Sequence, residues 1–150
     1  MNSLRLPLLV AAATLFACAH MIVRTGHLYP ANDLARRDGV LEAVFEASGV
    51  GHGNVHLTLP DGELAKGEFS IVRGGSASFG TIYGQVYGTD SASVDATTAN
   101  RVVPGGSRGS ASAYGEHGTS VDCEFYNDNF SGHGMGACKT SKGALYRLQY

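Results

Sequence analysis

The chain has 150 residues, a net charge of −2 at pH 7, 21 glycines, three cysteines and no tryptophan. Both signs of charge are mixed throughout, so no basic stripe exists to track phosphates, and nucleic acid is not expected as a partner. After the first twenty residues no apolar stretch is long enough to cross a bilayer as a helix, and no segment sustains the i, i+3, i+4, i+7 pattern of a long amphipathic helix, which leaves one β-rich domain.

Residues 1–17 have the layout of a secretory signal: one cation at Arg5, an apolar run from Leu6 to Ala17, then small residues. "LFAC", Leu15 to Cys18, resembles the bacterial lipobox, in which the signal is removed and the new N-terminal cysteine is acylated. The other cut uses Ala17-Cys18-Ala19 as the small-x-small site of ordinary secretion and leaves His20 as the first residue. Either cut exports the chain to an oxidising compartment. Residues 18–38 read as a tether in which "NDLARRDG" makes one helical turn, capped by Asn32 or Asp33.

Residues 39–150 read as a single all-β domain. Strands are expected at about 40–47, 54–59, 63–73, 79–87, 109–115, 120–127, 133–139 and 144–150, with glycine or proline-aspartate punctuation between them. The segment at about 88–107 is small, polar and aperiodic, which marks the one long loop. An antiparallel meander of about eight strands, closed as a small sandwich or barrel, is the expected architecture.

With Cys18 lipidated or cut away, Cys123 and Cys138 remain as an even pair in an oxidising place, which predicts a disulfide. Folding "VDCEFYN" and "GHGMGACK" about the Phe130–Ser131 bond puts the two cysteines opposite each other. In the second of these strands Gly132, Gly134 and Gly136 leave one face bare. Pairing Thr140 with Ala144 then sets Tyr150 against Gly134 and Leu148 against Gly136, an aromatic laid over a glycine.

The same hairpin occurs twice. "GHGNVHLTLPDGELAKGEF" (51–69) superposes on "GHGMGACKTSKGALYRLQY" (132–150) without a gap, matching the turn glycines Gly62 and Gly143 and the terminal aromatics Phe69 and Tyr150. Upstream the match fails, so the expected repeat is a hairpin rather than half a domain.

"DGELAKGEF" resembles the D-G-x-x-Y-x-G-x-F hairpin of the MORN repeat, with Ala65 in place of the tyrosine. Neither a MORN array nor its lipid-binding role is carried over. Over most of the mature chain the order of features is similar to small bacterial cell-envelope lipoproteins of unassigned activity. The shared features are a signal ending in cysteine, "TGHLYP", "LPDGELAKGEFS" and a C-terminal glycine-rich hairpin at Gly134 to Tyr150. "KGALY" (142–146) also resembles the S-G-x-x-Y loop of periplasmic lysozyme inhibitors, with Lys142 in place of the serine.

The histidines make poor metal ligands as a local set. His52 and His56 share a strand face but stand ~13 Å apart in extended chain. His52 and His133 converge only if their hairpins are neighbours, His133 is expected to face away from the disulfide with Met135 and Lys139, and His117 belongs to the "GEHG" turn. No resident cofactor or metal is expected. No G-x-S-x-G elbow is present, and Asp122 and Glu124 fit the wet face of a strand, so no catalytic set is named. The expectation is a non-enzymatic envelope lipoprotein, tethered by lipid on Cys18 to the outer membrane and facing the periplasm, with an envelope protein or glycan as partner. The alternatives are a periplasmic inhibitor of a lytic enzyme and a small outer-membrane β-barrel, and the alternative location is soluble periplasmic or secreted.

Overall fold

A computed structural model of the protein describes residues 22–72, 81–87 and 106–150. Eight antiparallel strands form a closed barrel in chain order, with the last strand pairing back onto the first. They are β1 (Ile22–Pro30), β2 (Leu41–Gly49), β3 (His52–Thr58), β4 (Leu64–Val72), β5 (Gly106–Tyr114), β6 (Ser120–Asp128), β7 (Gly134–Thr140) and β8 (Leu145–Gln149). Two short helices join them: α1 (Asp33–Asp38) between β1 and β2, and α2 (Thr81–Tyr87) between β4 and β5.

Alternation along each strand decides what faces in. Leu41, Ala43 and Phe45, then Val55 and Leu57, then Ala65 and Phe69, and later Val121, Cys123 and Phe125 are buried, and their sequence neighbours point outward. An eight-stranded barrel is just wide enough for such side chains to fill it. The all-β meander is therefore as expected, and the choice between sandwich and barrel falls to the barrel.

Two elements differ from the sequence reading. The tether expected over residues 18–38 is a barrel strand from Ile22 to Pro30, pairing with β2 on one side and β8 on the other. Its alternation is faint because its inward positions include Arg24 and Gly26, leaving Leu28 as the one large buried apolar side chain. The helical turn inside that segment is present, capped by Asn32. Where a strand was expected at 79–87, residues 81–87 are helical. "FGTIYGQVYG" alternates with period two through its glycines, but Ile82 and Val86 are also four apart, and Val86 is buried. Glu124 Oε2 accepts the Ile82 N–H at 3.1 Å, the Tyr87 hydroxyl donates to the Gly136 carbonyl at 3.1 Å, and Arg147 lies over the Tyr87 ring. The helix thus lies against the outside of β6, β7 and β8. Residues 88–105 of the expected polar loop, like residues 1–21, lie outside the described residues, and 106–107 open β5.

The predicted hairpin repeat is seen in the pairing register. Gly53 faces Phe69 in the β3–β4 hairpin as Gly134 faces Tyr150 in β7–β8, and the two turns close with the same hydrogen bonds. A third copy joins them, because Gly109 faces Phe125 in β5–β6 and Gly118 occupies the turn as Gly62 and Gly143 do. All three turn glycines have φ between 83° and 89°, the left-handed conformation that a three-residue hairpin loop requires.

These pairs bring rings into the core. The Phe69 ring lies 2.8 Å from where a Cβ on Gly53 would sit, and a Cβ on Gly109 or Gly134 would overlap the Phe125 or Tyr150 ring. Phe45, packed over Gly26, completes the set, and its ring centroid lies 5.6 Å from Phe69, 6.0 Å from Phe125 and 5.6 Å from Tyr150. Each of the four sequential hairpins therefore contributes one ring to a single cluster.

Helix α1 ties the β1–β2 connection to the turns at its end of the barrel. Asn32 Oδ1 accepts the Ala35 N–H at 3.0 Å and the Leu145 N–H at 3.1 Å, and its Nδ2 donates to the Gly143 carbonyl at 2.9 Å. Asn32→Ala is expected to destabilise the fold by about 1–2 kcal/mol, since it removes a helix cap and two cross-links together. Asn32→Asp keeps both acceptor contacts and loses the donor, so its urea midpoint should fall between wild type and Asn32→Ala.

Candidate functional site

The barrel has two unlike ends. One carries both chain termini of the barrel and the β2–β3 and β6–β7 connections; the other carries α1 and the three repeated turns. Because those turns are equivalent, they present equivalent residues. The middle residue of each loop is Asp61 between Leu59 and Glu63, His117 between Gly115 and Thr119, and Lys142 between Thr140 and Ala144.

Glu63 lies below them. It continues the inward parity of β4, and its side chain is 2% exposed. Gly115 leaves it room, since a Cβ there would overlap the Glu63 carboxylate. Glu63 Oε1 accepts the backbone N–H of His117. Among the described residues Oε2 has no hydrogen-bond partner, and it points to the same side as His117, whose Nδ1 is 3.9 Å away. Asp61 Oδ1 accepts the Glu63 N–H at 3.1 Å, while Oδ2 stands 3.6 Å from Lys142 Nζ. That N–H, with Lys142 nearby, holds the Asp61 carboxyl below the usual carboxylate range. One ligand atom each from Asp61, Glu63 and His117 lies within 4.8 Å of the others, the arrangement in which a bound cation could be held.

The residues singled out from sequence are distributed differently. Cys123 and Cys138 form the predicted disulfide, directly paired across β6 and β7 at a Cα separation of 4.0 Å. His52 and His133 are both exposed, and their hairpins are separated by a pair of strands in each direction around the barrel, so the structure does not bring them together. His56 projects outward between Val44 and Lys66 on the neighbouring strands. Asp122 accepts the Ser112 hydroxyl at 2.6 Å and Glu124 holds the start of α2. In "KGALY", Tyr146 is fully buried and donates to Asp38 Oδ2 at 3.0 Å; burial and that hydrogen bond push its phenol above the usual range. Cys18 lies outside the described residues.

Sequence reasoning placed His117 correctly in its turn but missed Asp61 and Glu63 as its companions. The available signal was the equivalence of "LPDGE" and "GEHGT" as turns on adjoining hairpins. A shallow groove of about 400 Å³ outside β3 and β4, lined by Glu46, Asn54, His56 and Lys66 among others, is open to solvent. Comparison with protein-family models, with curated protein sequences and with solved structures found no match.

Proposed function

We propose that the protein is a non-enzymatic lipoprotein of the bacterial cell envelope, acylated at Cys18, whose barrel faces the periplasm from the outer membrane and binds an envelope protein or glycan. The observation that carries this reading is the disulfide, with Cys138 completely buried in the barrel. A staple of that kind persists in an oxidising compartment.

Two further features support it. The outward faces of the strands carry Glu42, Glu46, Lys66, Glu68, Arg108 and Lys139 while the interior is apolar, the reverse of a lipid-embedded barrel. The strand β1 begins four residues after Cys18, a length of chain that spans at most about 14 Å. A lipid on Cys18 therefore holds the termini-bearing end close to the bilayer. That end exposes Ile22 and Val23 together with Val50 (84% exposed) and Phe130 (92% exposed), an apolar rim suited to the headgroup boundary. The end carrying the three repeated turns then points away from the membrane, within reach of a periplasmic partner.

Mass spectrometry of the exported protein should find acyl chains on Cys18. Cys18→Ser should move the protein from the membrane fraction to the soluble one. An unmodified N-terminus at His20 would instead make it a free periplasmic or secreted protein.

A further inference from the structure

We infer that Asp61, Glu63 and His117 form a binding site for a divalent transition-metal ion, zinc fitting best, at the turn end of the barrel. The inference is independent of where the chain is anchored.

The buried carboxylate is the main reason. Removing a glutamate from water is expensive unless its charge is matched and its oxygens are hydrogen-bonded. Glu63 has one oxygen satisfied by the His117 N–H and the other, Oε2, unpartnered among the described residues and only 3.9 Å from an imidazole nitrogen. A cation placed between Oε2 and His117 Nδ1 would supply what is missing. Carboxylate and imidazole ligands sit about 2.0–2.2 Å from zinc, so tetrahedral ligand atoms stand roughly 3.4 Å from one another. The atoms here are within 4.8 Å, and the two ligands that must close the gap, His117 and Asp61, are the exposed ones. The His117 side chain is 77% exposed and free to turn, and that of Asp61 is 45% exposed and can swing its Oδ2 from Lys142 toward the ion while Oδ1 keeps the Glu63 N–H and Glu63 stays fixed against Gly115.

The donor set selects the class of metal. One imidazole and two carboxylates suit zinc and its first-row neighbours, whereas calcium and magnesium prefer all-oxygen shells. Three protein ligands leave the fourth position of a tetrahedral ion open to water or to a donor from a partner, unlike a closed structural zinc site. Without metal, Lys142 serves as the counter-cation of Asp61 at 3.6 Å, and it gives up that contact when the ion arrives.

The test is calorimetric titration of zinc into the full protein as it matures in its host, after treatment with a chelator, alongside melting with and without zinc. The unaltered protein should take up one equivalent and melt higher for it. His117→Ala alters an exposed side chain and should leave the fold intact, yet weaken zinc at least tenfold. Glu63→Gln, which keeps the shape and removes the charge, should do the same and should melt no lower than wild type in the absence of metal. Lys142→Met should tighten binding by removing the competing cation, and the double change His52→Ala, His133→Ala should leave it unaltered. No saturable uptake by the unaltered protein, full-strength uptake by His117→Ala or Glu63→Gln, or weaker uptake by Lys142→Met would overturn the proposal.

Discussion

Phe45→Ala should destabilise the barrel by about 3–5 kcal/mol, the range for deleting a buried aromatic ring. Phe45 is the hub of the ring cluster: it touches Phe69, Phe125 and Tyr150, while Phe125 and Tyr150 also meet at 5.8 Å. Edge-to-face contacts of this kind contribute beyond the area they bury. The walls cannot collapse onto the vacated space, because every strand is hydrogen-bonded on both sides in the closed barrel. Set against a typical total stability of ~5–15 kcal/mol, the loss should leave a protein that unfolds at low urea or not at all cooperatively. Phe45→Leu should lose less. Combining Phe45→Ala with Phe125→Ala should do less damage than the sum of the two, because the rings share a contact. A change below about 1 kcal/mol in Phe45→Ala would mean that the cluster is not the centre of the core.

Opening the disulfide is expected to lower stability by roughly 3 kcal/mol, the loop-closure value for a link of about fifteen residues. The bond joins directly paired residues and has a sequence separation of 15. Cys123→Ala and Cys138→Ala should lower the melting temperature similarly, by about 10–15 °C on the usual scale for a domain of this size. The double variant should be no worse than either single, since all three lack the same bond. A reductant should reproduce the shift in the unaltered protein and leave the variants where they are. Two free thiols in the exported native protein would contradict the staple.

The candidate metal site was less legible than the fold. Asp61 and Glu63 are 54 residues or more before His117, and each has a sufficient local explanation as part of a turn. Only the adjacency of β4 and β5 puts the "PDGE" and "GEHG" loops side by side. The feature that distinguishes Glu63 from an ordinary surface glutamate is its burial over Gly115, and burial depends on a neighbouring hairpin that local sequence does not identify.

By itself the sequence determined whatever follows from spacing along one hairpin. Side chains alternate with period two and the turn fixes the register, so Cys123 had to face Cys138, and Tyr150 had to face Gly134, once their turns were recognised. The all-β class, the strands from β2 to β4 and from β5 to β8, and the cap on α1 were legible for the same reason: each is set by residues within a few positions of one another. Tertiary structure decided the matters that depend on remote partners. Ile22–Pro30 is a strand because β2 and β8 both need an edge to pair with, a requirement that its own weak pattern of Arg24, Gly26 and Leu28 does not announce. Residues 81–87 are a helix although glycine alternation favoured a strand, because the barrel was already closed without them and the outside of β6 to β8 offered a surface for Val86 and partners for Ile82 and Tyr87. Closure itself, which draws four hairpins into one ring cluster and sets the His117 turn against the buried Glu63 carboxylate, is a property of the whole sheet, and no single segment encodes it.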